Sequence, residues 1–334
     1  MTYEFRHQLR YAITVLLLAS LVVSCSTNDI LSSPDTDSPE IDFSTPALSR
    51  GIVTSSDDMS AFDVWGWYSP TTGNGAQTQV FEARKVTNKG SGWKYDIPER
   101  WQQGNTYRFY AVYPSKEEDP KYKSASYDES GNLAITNFDC SYAVDLMTAS
   151  KEVVCYDNGY PGKVNMTFSH ELARVLFIAK NHSGAQNIIG YKPFVKSSKL
   201  YGMYKTGSLN VTSTGSVWTI PANSGETATD KNSPLAKAEN KDVTSVDGVT
   251  IIEVLVFPQQ VKTGYSIDLV YTTDDSNPIE KQTTIDLSSL SVDEWIAGKQ
   301  YRYSFTITPD DRILFDKPTV NKWDEATGGI IIVE

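Results

Sequence analysis

The stretch Trp295–Phe305, WIAGKQYRYSF, constrains the fold most, because nearly the same string, WQQGNTYRFYA, stands at Trp101–Ala111. Both fit W-x-x-G-x-x-Y-R-aromatic, with Phe109 and Tyr303 as the shared aromatic. Four identities at fixed spacing, 194 residues apart, indicate a duplicated structural unit. Each copy reads as a Trp before a glycine-permitted turn, followed by a strand that enters on Tyr and alternates. The inward set is Tyr107, Phe109, Ala111 and Tyr113 in one copy and Tyr301, Tyr303, Phe305 and Ile307 in the other. Each ends at a proline, Pro114 or Pro309. Trp and Tyr at such spacing pin a strand entry into a sandwich core.

The rest of the composition agrees with an all-β chain. Tyr is abundant at 19, and long apolar stretches with a 3.6-residue period are scarce. At 334 residues the length suits two domains, each able to bury a substantial core. The 30 basic and 41 acidic residues are scattered and leave a net charge of −11, which argues against nucleic acid as a partner.

The first residues read as a processing signal. Arg6 and Arg10 form a basic region, Tyr11–Val23 an apolar one, and LVVSC closes it at Cys25. A small residue before Cys after an aliphatic run resembles a bacterial lipobox. Residues 1–24 would then be a lipoprotein signal peptide, with Cys25 diacylated as the mature amino terminus and attached to the membrane without a spanning helix. Residues 25–45 are rich in Ser, Thr, Asp and Pro, a composition that reads as a flexible tether or propeptide. Cys140 and Cys155 remain, and export leaves two states open for them, a disulfide or a pair of buried thiols.

Short alternating segments follow every eight to twelve residues, separated by turn formers. They include AFDVWGWYS at 61–69, VFEARKV at 80–86, LAITNF at 133–138 and KEVVCY at 151–156, with Ser115–Asn132 read as one long loop. The turn cluster DNGYPG, Asp157–Gly162, marks a boundary. It divides an amino-terminal β-sandwich over 46–158 from a carboxy-terminal one over 159–334. In the second half Val164, Met166, Phe168, His170 and Leu172 share one face, and LARVLFIA reads as a central strand. Gly207–Ile220 reads as a hairpin, and three further strands lead into the second repeat copy. Ile330–Val333 is a run of β-branched residues, an edge that must either close its own sheet or be offered to another chain.

No catalytic, cofactor-binding or metal site is expected. Of three histidines, His7 lies in the signal, and His170 sits on an apolar face as a hydrogen-bonded core residue. His170 and Glu171 are neighbours on a strand and so point to opposite sides. G-x-S-x-G, the phosphate-loop motif and Cys/His ligand spacing are all missing, and the pairs Asp57-Asp58, Asp274-Asp275 and Asp310-Asp311 read as solvated turns. A competing class, a surface glycan-binding lipoprotein that does not polymerise, would use exposed aromatics such as Trp65, Trp67 and Tyr68.

Taken together, these features resemble the fimbrillin family, surface lipoproteins of Gram-negative anaerobes whose precursors polymerise into fimbriae. The resemblance rests on the lipobox at Cys25, VWGWY at 64–68, W-x-Y at Trp93–Tyr95, WQQGNTYRFYAVYP, DLMTA, FSHELARVLF at 168–177, FPQQ at 257–260 and WIAGKQYRYSFTI. It implies two tandem transthyretin-like β-sandwiches and an outer-membrane, lipid-anchored, surface-exposed precursor. It also implies removal of an amino-terminal segment by a cut after Arg. The matching position is Arg50-Gly51, and the matching donor strand for a groove on a neighbouring subunit is Ile330, Ile331, Ile332 and Val333. The implied function is that of a structural or adhesive stalk or tip subunit. Its partners would be other fimbrial subunits and an unidentified surface ligand.

Overall fold

The computed structural model describes residues 37–45, 59–73, 75–118, 121–220, 228–274 and 276–323. Its regular structure is almost entirely β, with no α-helix among the described residues. Cys25, Arg50, Gly51 and Ile330–Val333 lie outside those residues, as do Asp57-Asp58 and Asp275.

The first large sheet has the order Ser169–His170, Met147–Cys155, Asn105–Tyr113, Ala61–Pro70, Thr78–Asn88, Trp93–Lys94, with every pairing antiparallel. The segments read as DLMTA and KEVVCY join in one nine-residue strand, Met147–Cys155. Phe62, Val64, Phe81, Tyr107, Phe109 and Ala111 occupy one face and form a core. On the opposite face Trp65, Trp67 and Val112 join a second core. The central strand Ala61–Pro70 is therefore covered on both sides, buried from Ala61 through Trp67.

Two further sheets carry the second core. One runs Val249–Val256, Ala173–Lys180, Lys299–Ile307, and the outer edge of the last strand pairs with both Ile313–Phe315 and Thr319–Lys322. The other runs Ala236–Asp242, Tyr191–Tyr201, Ser266–Asp274, Lys281–Asp286. Ala173–Lys180 lies between two neighbours, the central position its apolar run requires. A fourth sheet, Gly215–Thr219, Thr206–Thr212, Leu133–Asp139, Ser124–Tyr127, pairs strands from either side of the expected 158/159 boundary. Leu133, Ile135 and Phe138 accordingly sit in the second core although they precede that boundary.

The two repeat copies have a common local device. In the first, the hydroxyl of Tyr107 accepts the Gln102 N–H at 2.8 Å; in the second, that of Tyr301 accepts the Ile296 N–H at 2.9 Å. The turn between Trp and Tyr needs a left-handed residue, and Gly104 (φ 74°) and Gly298 (φ 68°) supply it. Trp101 and Trp295 are fully buried, so neither is open to a ligand. Their surroundings differ. Gly104 N–H donates to Cys155 O, whereas Gly298 N–H donates to Leu172 O and its carbonyl receives Trp323 N–H.

The shared face expected over residues 164–172 is buried, but it does not belong to one strand. Val164, Met166 and Phe168 belong to the first core, and Leu172 to the second. Between them His170 is 6% exposed, bonds to Asp145 at 2.9–3.1 Å and stacks on Trp323 at 4.0 Å. Glu171 turns elsewhere and accepts from the Thr148 hydroxyl at 2.5 Å. Cys140 and Cys155 are free buried thiols, one in each core, so of the two states left open the structure has separate thiols and no disulfide between them. Burial pushes both thiols up from the ordinary cysteine value, which keeps them protonated.

Candidate functional site

The segment expected to be a tether up to residue 45 is in part a core element. Ile41 and Phe43, two residues apart in a polar stretch, are 0% and 1% exposed. Phe43 stands edge-on to Phe62, Phe81, Tyr95 and Phe109, with ring centroids 5.5–6.2 Å apart. Alternation explains the arrangement, because an extended segment that bridges Arg100 at Glu40 and becomes a strand at Phe43–Ser44 sends Ile41 and Phe43 inward and Glu40 and Asp42 outward.

The segment fills a slot between two backbone edges. On one edge, Ile41 N–H donates to Glu99 O at 2.8 Å and Trp101 N–H donates to Pro39 O at 3.2 Å. The Tyr95 hydroxyl donates to Ile41 O at 2.7 Å. Burial pushes that phenol up to about 12, so it remains a donor at any ordinary pH. On the other edge, Val164 N–H donates to Asp42 O at 2.7 Å and Met166 N–H to Ser44 O at 2.8 Å. Phe43–Ser44 runs parallel to Val164–Asn165 in consequence. Outside the slot, Arg100 and Lys94 face Glu40 and Asp42, each at 3.7 Å.

This arrangement has the chemistry to hold an extended strand. Emptied, it would present two deep apolar positions together with the Glu99 carbonyl and the Trp101, Val164 and Met166 N–H groups. Buried backbone groups of that kind require partners, and an extended chain with apolar side chains at alternate positions supplies both. The sequence signal was the I-x-F alternation at 41–43, masked by Ser, Thr, Asp and Pro on either side.

The remaining candidates are not brought to this slot. Trp65 and Trp67 are 3% and 7% exposed, which removes them from any sugar-stacking surface. The described acidic turn residues are engaged locally: Asp274 caps the Ser276 N–H, Asp310 takes Arg312, and Asp311 takes Thr273 and Lys281. Among the described residues no group of His, Cys, Asp and Glu is placed to hold a metal ion.

A family model described as fimbrillin-like matches residues 53–323. No curated protein matches. Among solved structures, a fimbrial protein from Bacteroides vulgatus is similar at 15% identity with a TM-score of 0.57, covering 85% of this chain and 99% of its own. A candidate cell adhesion protein from Bacteroides ovatus is 16% identical with a TM-score of 0.51, covering 88% of this chain and 98% of its own. At such identities the likeness speaks for the fold.

Proposed function

The chain belongs to the fimbrillin-like family, and on that footing we propose that it is a structural or adhesive subunit of a surface fimbrium that polymerises by strand donation. The precursor would be exported as a lipoprotein through Cys25 and held at the outer membrane. A cut between Arg50 and Gly51 would release residues 25–50, anchor and slot segment together, and a strand of another subunit, with Ile330–Val333 as its core, would occupy the vacated slot.

The observation that carries this reading is the slot itself. The segment filling it lies wholly on the amino-terminal side of Arg50, so one cut detaches it from the remaining fold. Ile330–Val333 offers aliphatic, β-branched side chains at every position, so either register parity directs two of them into the places of Ile41 and Phe43.

Electron microscopy of cells producing a chain that lacks residues 329–334 tests the donor role. Secretion should continue and fibres should be lost. Fibres of ordinary length from that variant would remove the donor role from Ile330–Val333.

A further inference from the structure

The outer face of the first sheet is covered by the hairpin Ser124–Tyr127 and Leu133–Asp139 over its middle strands. Toward the strand Met147–Cys155 that cover ends, leaving a hollow of about 350 Å³. This volume lies within the roughly 300–1,000 Å³ range of small-molecule sites.

Tyr110 and Tyr127 form one wall, stacked at 5.0 Å with 23° between their planes and both half-buried. The pair is braced from behind, since Trp65 packs on Tyr127 at 5.3 Å and Trp67 on Tyr110 at 6.1 Å. The turn at Gly131 closes over Tyr110. Its φ is +82°, and a Cβ there would come within 2.5 Å of the ring, so only glycine lets the turn approach so closely.

The floor is made of hydroxyls. Ser150 lies directly across the ladder from Tyr110, and Ser169 across from Thr148. Thr212 and Ser213, on the turn between Thr206–Thr212 and Gly215–Thr219, face them from the second half of the chain. Thr148 is 8% exposed and donates its proton to Glu171, so toward the hollow it has only acceptor capacity left. Burial raises the Glu171 carboxyl above its usual range. Among the described residues no Asp, Glu, Lys or Arg lines the hollow.

These properties select a ligand class. A charged ligand would lose water without gaining a counter-charge, and a purely apolar one would take the Ser150 and Ser169 hydroxyls from water without replacing their partners. A neutral ring with hydroxyls at its edge and C–H groups on its face meets both demands. We propose that the hollow binds a neutral carbohydrate, presented as a hexose unit of a surface glycan. The site uses none of the slot residues and is independent of strand donation.

Saturation-transfer NMR on the full chain tests the proposal, with glucose, galactose, mannose and N-acetylgalactosamine as probes and glucuronic and sialic acids as charged counterparts. At least one neutral sugar should bind. Ser150→Arg, at an exposed floor position, should weaken it by about tenfold or more with an unchanged melting temperature. Thr148→Val, which removes the acceptor, should weaken it too. Absence of binding by every neutral sugar, binding by the acids alone, or undiminished binding to Ser150→Arg would overturn the proposal. Ser150→Arg should still enter fibres, so failure of this inference and failure of strand donation are read separately.

Discussion

Replacing Phe43 by alanine in the full-length chain should lower its stability by roughly 3–5 kcal/mol, the usual cost of emptying a buried phenylalanine site. Phe43 is 1% exposed and touches four aromatic rings, so the cavity has rigid walls that collapse poorly. Domains have only about 5–15 kcal/mol to lose, which makes this a large fraction. A tether residue would give a change near zero. Denaturant unfolding of the two full-length chains measures the difference. A chain beginning at Gly51 should lose at least as much, because Ile41 leaves with Phe43, and its slot should bind extended apolar peptides that the full-length chain refuses. Equal stability of Phe43→Ala and the parent would show that residues 38–45 do not hold the first core.

Trp295→Ala should be comparably severe, costing roughly 3–5 kcal/mol. Trp295 is completely buried, donates its indole N–H to the Tyr303 hydroxyl at 3.0 Å and lies along Tyr265 at 5.9 Å. Tyr303→Phe is the milder partner. It preserves the packing but leaves that N–H unpaired, which costs about 1–3 kcal/mol. Thermal unfolding should therefore rank Trp295→Ala below Tyr303→Phe and both below the parent. If Trp295→Ala folded normally and lost only the ability to adhere, the repeat would be a ligand platform and not scaffold.

The duplication was legible because its reasons are local. A Trp, a left-handed glycine and a Tyr whose hydroxyl caps the turn are all written within eleven residues. Strands with two inward aromatics, such as Ala61–Pro70 and Lys299–Ile307, could be placed for the same reason. Ser124–Tyr127 was hidden in the stretch read as one long loop, and Ala236–Asp242 has no alternation of large apolar residues to mark it. Each is an edge strand, and its ladder bonds come from a neighbour that supplies the apolar surface. The charged alternation AKAENKD also keeps an edge from pairing further.

The slot and the hollow were hidden for different reasons. Ile41 and Phe43 are only two apolar residues, and nothing nearby reports that the aromatics they fill against arrive from residues 62, 81, 95 and 109. The hollow beside Tyr110 depends on where one sheet stops covering another, with Thr148 and Thr212 brought together from distant segments. Pairings of that kind have no period in the sequence. Residues 157–162 hold a turn at 157–158 between strands, but Leu133–Asp139 before them pairs with Thr206–Thr212 after them.

The slot and the repeat divide the work of the molecule. The first repeat copy holds one wall of the slot directly, because Trp101, its opening residue, donates its N–H to Pro39 O. Repeat and slot thus meet at Trp101 and Phe109, and under the proposed cut the departure of the segment before Gly51 would expose a wall that the repeat keeps in place. Mass spectrometry of subunits recovered from purified fibres tests this account most directly. It predicts Gly51 as the amino terminus, with peptides containing Ile41 and Phe43 absent from the polymer. Polymerised subunits that retain those peptides on an acylated Cys25 would contradict it.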